Sequence, residues 1–271
     1  MLQVTKFVAR PLSLIASELV WEVQPSTEDT HLYDFEILRS ESPEGPFDSI
    51  TPKFKDKFYF IDNQMPQYLH GRYIFYKLKI WNGEEYTETV TRLGGFRNPI
   101  ALEIARKHRI VLKNIMGLKV YVFPVRTFGT FCSCYDQVLH RSMANRCLAC
   151  FNTGFAGGYL TPVESYAMIT PNVNVQEIPK GGGVPVEAGT AIIRFGNFPH
   201  LKSGDVIYNP ISNERWRIVN VTASTLAGFT ISQVCTCSFI DPSDVVHELK
   251  VDVDVFTLVE PIGLVEPRKA F

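Results

Sequence analysis

The sequence predicts a mainly β chain: an N-terminal β-sandwich, one linking helix, a metal-stapled loop and a C-terminal small β-barrel. Three observations carry this. Short runs alternate apolar with polar residues, as half-buried strands do. Seventeen prolines and eighteen glycines are spread along the chain and punctuate those runs as turns. Only residues 98–117 show a sustained helical period. The 271 residues suffice for two or three units. The expected division is a sandwich over 1–95, a helical joint over 96–124, and a barrel domain over 125–271 that carries a cysteine block at 132–150.

Composition narrows the function. A net charge of −1 lacks the basic field of a general nucleic-acid binder. No apolar run approaches the ~18 residues of a membrane span, so no membrane partner is expected. The opening "MLQVTKFVARPLSLIASELVWEV" is interrupted by Pro11, Ser13, Ser17 and Glu18, unlike a signal peptide. The chain is expected to fold in a reducing cytoplasm.

In the N-terminal third, "LSLIASELVWEV", "YDFEILRS", "FYFID", "YIFYKLKIWN" and "EEYTETVTRL" read as strands. The turn signals "SPEGPF", "NQMPQ", "HGR" and "NGEE" separate them. In "YKLKI", Tyr76, Leu78 and Ile80 face one way and Lys77 and Lys79 the other. These residues resemble fibronectin type III domains: Trp21 sits at their strand-B tryptophan, "YDFEILRSESPEGPF" at strand C and its following turn, and Tyr76 at the tyrosine-corner position. The resemblance implies a sandwich with Trp21 and Tyr76 in its core. Such domains serve as spacers and adhesive modules, so the fold alone names no function.

"NPIALEIARKHRIVLKNIMG" follows as the helix. Asn98 suits the cap, Pro99 the first helical position and Gly117 the end. Ile100, Ile104, Val111 and Ile115 form the expected buried stripe. Arg106, Lys107, Arg109 and Lys113 oppose it, read either as a solvated face or as a contact for an acidic surface or phosphate.

Four of the six cysteines fall in "CSCYDQVLHRSMANRCLAC": Cys132 and Cys134 as C-x-C, then Cys147 and Cys150 as C-x-x-C. Thiolates two or three positions apart converge on one ion through a tight turn, and two such pairs supply four sulfurs. "FNTGFAGGY" follows, with glycines that let the backbone close around a ligand. The block is similar to zinc ribbons and knuckles, and structural Zn2+ is expected on Cys132, Cys134, Cys147 and Cys150. Alternatives are two disulfides, a redox pair, or a catalytic zinc assisted by Asp136 or His140, with His140 also able to replace one cysteine. Cys235 and Cys237, two apart in a strand-like run, read as buried small hydrophobes.

Beyond residue 160 the pattern returns to β, in "ESYAMITP", "VNVQEIP", "GTAIIRF", "GDVIYNP", "RWRIVNVT", "FTISQVCTCSFI" and "HELKVDVDVFTL". In the last, Leu249, Val251, Val253 and Val255 alternate with polar residues. "FPHLKSGDVIYNPISNERWRIVNV" with "DPSDVVHELKVD" resembles the small β-barrel proteins of tailed-bacteriophage necks and head–tail connectors. Gly204, Asp205, Arg215 and Trp216 occupy the matching positions. The cysteine block with "GFAGGY" also resembles segments of phage structural proteins.

No G-x-S-x-G, Walker loop, H-E-x-x-H or G-x-G-x-x-G motif is present, so no enzyme is expected. "KGGGVP" (180–185) has no helix after it and reads as a flexible loop or inter-subunit arm rather than a phosphate loop. The expected function is a structural adaptor of a tailed-phage virion, assembled in the host cytoplasm. It would form a homo-oligomeric ring against other virion proteins on the portal, adaptor or tail side. DNA contact would be passive, through local patches such as Arg106–Arg109. The alternatives are a fibronectin-like adhesion module engaging a glycan or receptor through Trp81, and a zinc-dependent nucleic-acid-binding protein.

Overall fold

A computed structural model of the chain describes residues 2–24, 32–65, 72–94, 98–136, 138–139, 141–143, 146–171 and 189–249. It is mainly β, as expected, and forms two compact units. Among the described residues, those up to Arg106 group with Arg126–Thr161, and Lys107–Val125 with those from Pro162 to Leu249.

The first unit is a sandwich of seven strands. These are β1 (Val4–Pro11), β2 (Ser17–Val23), β3 (Asp34–Ser40), β4 (Asp48–Ser49), β5 (Tyr59–Asp62), β6 (Ile74–Asn82) and β7 (Glu85–Leu93). One sheet runs β1-β2-β5 and the other β4-β3-β6-β7. Every pairing is antiparallel. Alternation sets the inner faces: Leu19, Trp21 and Val23 from β2, Phe35 and Ile37 from β3, and Ile74, Tyr76, Leu78 and Ile80 from β6 share one buried core. Trp21 lies among Phe7, Phe35 and Phe54, with ring centroids 5.8–6.5 Å away. Tyr76 takes the expected core place, and its hydroxyl bonds Ser17 Oγ at 2.8 Å and donates to Asp62 Oδ2 at 2.9 Å. Arg39 Nη1 reaches the same Asp62 oxygen at 2.7 Å, so the buried carboxylate is paired.

The second unit is a closed antiparallel barrel. Its strands are β8 (Leu118–Phe123), β11 (Val163–Pro171), β12 (Thr190–Phe195), β13 (Val206–Asn209), β14 (Glu214–Leu226) and β15 (Phe229–Phe239), in the order β11-β12-β15-β14-β13-β8. β8 pairs with β11 and completes the ring. A barrel of six strands has a narrow interior, and small residues help to fill it. Ala167, Ala191, Cys235 and Cys237 do so beside Ile193, Phe195, Ile207 and Trp216. Cys235 and Cys237 are therefore core hydrophobes, as their spacing suggests, and burial raises both thiol pKa values. Gln233, fully buried, ties three loop groups together: it accepts from Leu201 N and donates to the carbonyls of Gly196 and Pro199.

Several expectations need correction. Residues 126–161 belong with the sandwich, not the barrel: Phe128 is in the sandwich core, 4.9 Å from the Phe58 ring, and Leu160 packs against that core. Conversely β8, placed by the sequence in the helical joint, is a barrel strand. The helix α1 (Pro99–Val111) begins at Asn98 as expected, whose Oδ1 accepts from Ile100 N and Ala101 N. Its buried line is not the isoleucine stripe: Ile100, Ile104 and Ile115 are 68%, 42% and 76% exposed. Ala101, Leu102, Ala105, Arg109 and Leu112 are buried instead. The two alanines permit close approach, and the Arg109 stem lies against Gly196, where a Cβ would come within 2.7 Å of it. Leu112–Met116 then forms a π-helical turn in which Leu112 is the buried residue. Gly117 ends it at φ −97°, needed not for a left-handed turn but because a Cβ would overlap the Leu112 carbonyl oxygen. His247 and Glu248, expected in a strand, lie in a 3-10 turn (Val245–Glu248). Leu249 ends that turn, and the rest of the expected strand from Lys250, "VNVQEIP" and "KGGGVP" fall outside the described residues.

Candidate metal centre

The site is built from two tight turns of the first unit. Phe131 bridges Phe155, which brings the two turns side by side. In the first, Tyr135 N donates to the Cys132 carbonyl at 2.9 Å, so Cys132 and Cys134 flank one bend. Two short strands, β9 (Tyr135–Asp136) and β10 (Arg141–Ser142), continue from it, and Met143 N donates back to the Cys134 carbonyl. In the second turn, Phe151 N donates to the Cys147 carbonyl and Thr153 N to that of Cys150. Cys147 N is held by Asn152 Oδ1 at 3.1 Å. The turns are stitched together through Cys132 N to the Gly154 carbonyl, Ala156 N to the Thr130 carbonyl and Gly157 N to the Ala149 carbonyl.

The tightness of this fold explains "FNTGFAGGY". Phe151 and Asn152 have φ of 48° and 65°, a pair of left-handed residues that reverses the chain. Gly154, at φ 87°, leaves no room for a side chain: a Cβ would come within 2.6 Å of the Tyr135 ring. At Gly158, φ 65°, a Cβ would meet the Cys150 carbonyl oxygen at 2.6 Å.

The outcome is that Cys132, Cys134, Cys147 and Cys150 converge, with all four sulfurs within 4.8 Å of one another. Cys132 Sγ lies 3.7 Å from Cys147 Sγ, and Cys134 Sγ 3.4 Å from Cys150 Sγ. All four are free thiols rather than disulfides. Four sulfurs at ~2.3 Å from one ion stand about 3.8 Å apart at the corners of a tetrahedron, so the cluster fits a metal ion with only small adjustments.

The thiols differ in how readily they ionise. The Cys150 backbone N–H, then the Cys134 side chain and the Ala149 N–H, hydrogen-bond the Cys147 sulfur and lower its thiol pKa to about 7. Burial pushes Cys150 up to about 12 and also raises Cys132. A bound metal ion would ionise buried sulfurs of this kind by supplying the charge that water cannot.

Among the described residues no histidine or carboxylate joins the cluster. Asp136, the acid expected nearby, turns its Oδ1 to Val138 N and Leu139 N at 2.7 and 3.0 Å. His140 lies outside the described residues. Four sulfurs make a closed shell, the arrangement of a structural rather than a catalytic ion.

The other candidate residues have structural duties. Asp205 is buried and accepts from Val125 N and Lys202 N, both at 2.8 Å; burial outweighs those bonds and raises its carboxyl pKa to about 6. Arg215, also buried, donates to the Val246 and Leu249 carbonyls, and Trp216 stacks edge-on to Phe239. Gly204 bonds across to Ile218 at φ 93°. The helix patch proposed to meet DNA is weakened: Arg106 is chelated by Glu103 and Arg109 is buried. Trp81, the candidate glycan platform, donates to Glu36, carries the Lys53 ammonium 3.5 Å from its ring centroid and contacts Tyr86.

Sequence reasoning missed one feature. β14 runs on through "ASTLAG" to Leu226, and Ala227 and Gly228, at φ 49° and 82°, form a two-residue hairpin turn into β15. The signal was there: no residue from Ile218 to Ile240 is charged.

Among the described residues, no helix is long and apolar enough to cross a membrane. No family model and no curated protein matches this chain.

Proposed function

We propose that the protein is a structural adaptor of a tailed-phage virion, working through protein–protein contacts in a ring at the neck or head–tail interface. The observation that carries this reading is the closed six-stranded barrel with a β14–β15 hairpin that runs beyond it and is uncharged from Ile218 on. A barrel has no edge of its own to offer. A projecting hairpin gives it one, which suits a part that must join copies and neighbours without exposing its core. The Gly204-Asp205 entry and the Arg215-Trp216 hairpin support the resemblance to phage connector barrels, in buried, structural roles.

In this reading the four cysteines hold one zinc ion as a staple. The closed sulfur shell supports a structural role, and the first unit's two turns gain a fixed shape that their short strands alone would not give. The engaged state of Trp81 favours the adaptor over a glycan-binding module.

The test is to tag the chain in a producing culture and purify the particles. A fixed number of copies per particle, imaged at the head–tail junction, is the expected result. Purified, infectious particles that lack the chain would sink the reading.

A further inference from the structure

We propose that the β14–β15 hairpin is a self-association arm, which adds its strands to the hairpin of a second copy of this chain. The inference rests on the adaptor reading and names the surface through which copies would join.

Inside the barrel β14 has two neighbours, but β13 pairs with it only over Glu214–Arg217. β15 likewise pairs with β12 only from Gln233 onward. Beyond Gln233 β14 and β15 pair with each other alone, from Ser224 with Ser232 to Leu226 with Phe229. Ser203 Oγ holds the Val219 carbonyl, so the free stretch of β14 begins at Asn220. Among the described residues no third strand covers it. A two-stranded ribbon is marginal in water, and its outward N–H and C=O groups can be satisfied by a further strand.

Composition selects the occupant. Exposed edges are ordinarily guarded by lysine, proline or an inward charge. Here two register irregularities twist the ribbon, yet "VTASTLAGFTIS" carries neither charge nor proline. Thr222, Ala223, Ser224 and Thr225 are exposed, and Leu226 is 42% exposed. A charged strand repels its own copy when placed beside it, whereas a neutral one does not. The arm equally lacks a charge for a heterologous partner to complement. The chain's net charge of −1 adds little long-range repulsion between copies. Each hairpin has two free edges, on β14 and on β15. The β14 edge of one copy can take the β15 edge of the next, a head-to-tail contact of the kind from which rings are built when its rotation closes.

The test uses the full purified chain across a concentration series, read by sedimentation velocity and by amide hydrogen exchange. The wild type is expected to associate with rising concentration, and the amides of Asn220–Leu226 and Phe229–Ser232 to gain protection in step. Thr222→Lys with Ser224→Lys puts charged guards on the joining β14 edge, opposite an uncharged β15, and should weaken association at least tenfold; Thr230→Glu with Ser232→Glu should do the same from the β15 side. An equimolar mixture of the two variants should recover association, which guards against a variant that merely misfolds. A wild type that stays monomeric, a lysine variant that assembles like wild type, or assembly with the hairpin amides unprotected would each overturn the inference. The last result would leave the adaptor reading standing. Self-association by a chain absent from particles would remove the virion reading alone.

Discussion

Replacing Tyr76 with phenylalanine isolates one buried hydroxyl. The ring stays in the sandwich core, so the apolar contribution is unchanged. Two hydrogen bonds go: one to the Asp62 carboxylate at 2.9 Å and one to Ser17 Oγ at 2.8 Å. A bond to a charged acceptor contributes about 1.5–3 kcal/mol and a neutral one about 1 kcal/mol. Asp62 keeps Arg39 at 2.7 Å and the Gln64 N–H at 3.1 Å, so its charge is not stranded. Ser17, fully buried, loses this partner. The expected loss is about 2–4 kcal/mol. With a urea slope of about 2 kcal/mol per molar, that moves the midpoint by roughly 1–2 M. Because the chain has two units, the readout should be urea-dependent exchange of β2, β5 and β6 amides, with β12 and β15 as the internal reference. A loss below about 0.5 kcal/mol would refute the reasoning, since the hydroxyl would then be no better placed than one in water.

Cys147→Ser should reduce bound metal to background and speed exchange of the amides at 147–158, leaving the barrel amides unchanged; unchanged metal content and exchange would show the ligand set to be wrong. Gln233→Leu leaves three buried backbone groups without their partner and should cost the barrel about 3 kcal/mol or more, measured by urea unfolding of that unit. Asp205 gives a pH signature. Its folded pKa of about 6 lies above the unfolded value of about 3.9, so its contribution to stability is complete below the lower value and is lost as pH rises through the upper. Barrel stability in the wild type should therefore fall by up to about 3 kcal/mol from pH 4 to pH 7 relative to Asp205→Asn; parallel profiles for the two proteins would contradict the shift.

The sandwich was legible in the sequence because its strands alternate cleanly. Leu78 and Ile80 stand against Lys77 and Lys79, and turn residues mark each end. β1 was harder to read, since its residues are all exposed or only part-buried, even Phe7 and Ala9, which pack against the core. The four-cysteine cluster was legible from spacing alone, because thiol chemistry restricts what two close pairs can do. Their placement in the first unit was not legible, because it depends on Phe128 and Leu160 reaching the sandwich core, a contact remote in sequence. The helix misled because isoleucines outweigh alanines in any apolar pattern. Ala101 and Ala105 are buried by virtue of their small size, and the π-helical turn shifts the phase beyond Leu112. The hairpin arm went unseen because "ASTLAG" has little apolar character, and strand length there is set by pairing with β15 rather than by burial.

X-ray absorption on the purified full-length chain tests the metal centre most directly. The account predicts one zinc ion per chain, with four sulfur scatterers at ~2.3 Å and no oxygen or nitrogen in the inner shell. A chain that binds no stoichiometric metal, or a shell with a light-atom ligand in place of sulfur, would contradict it.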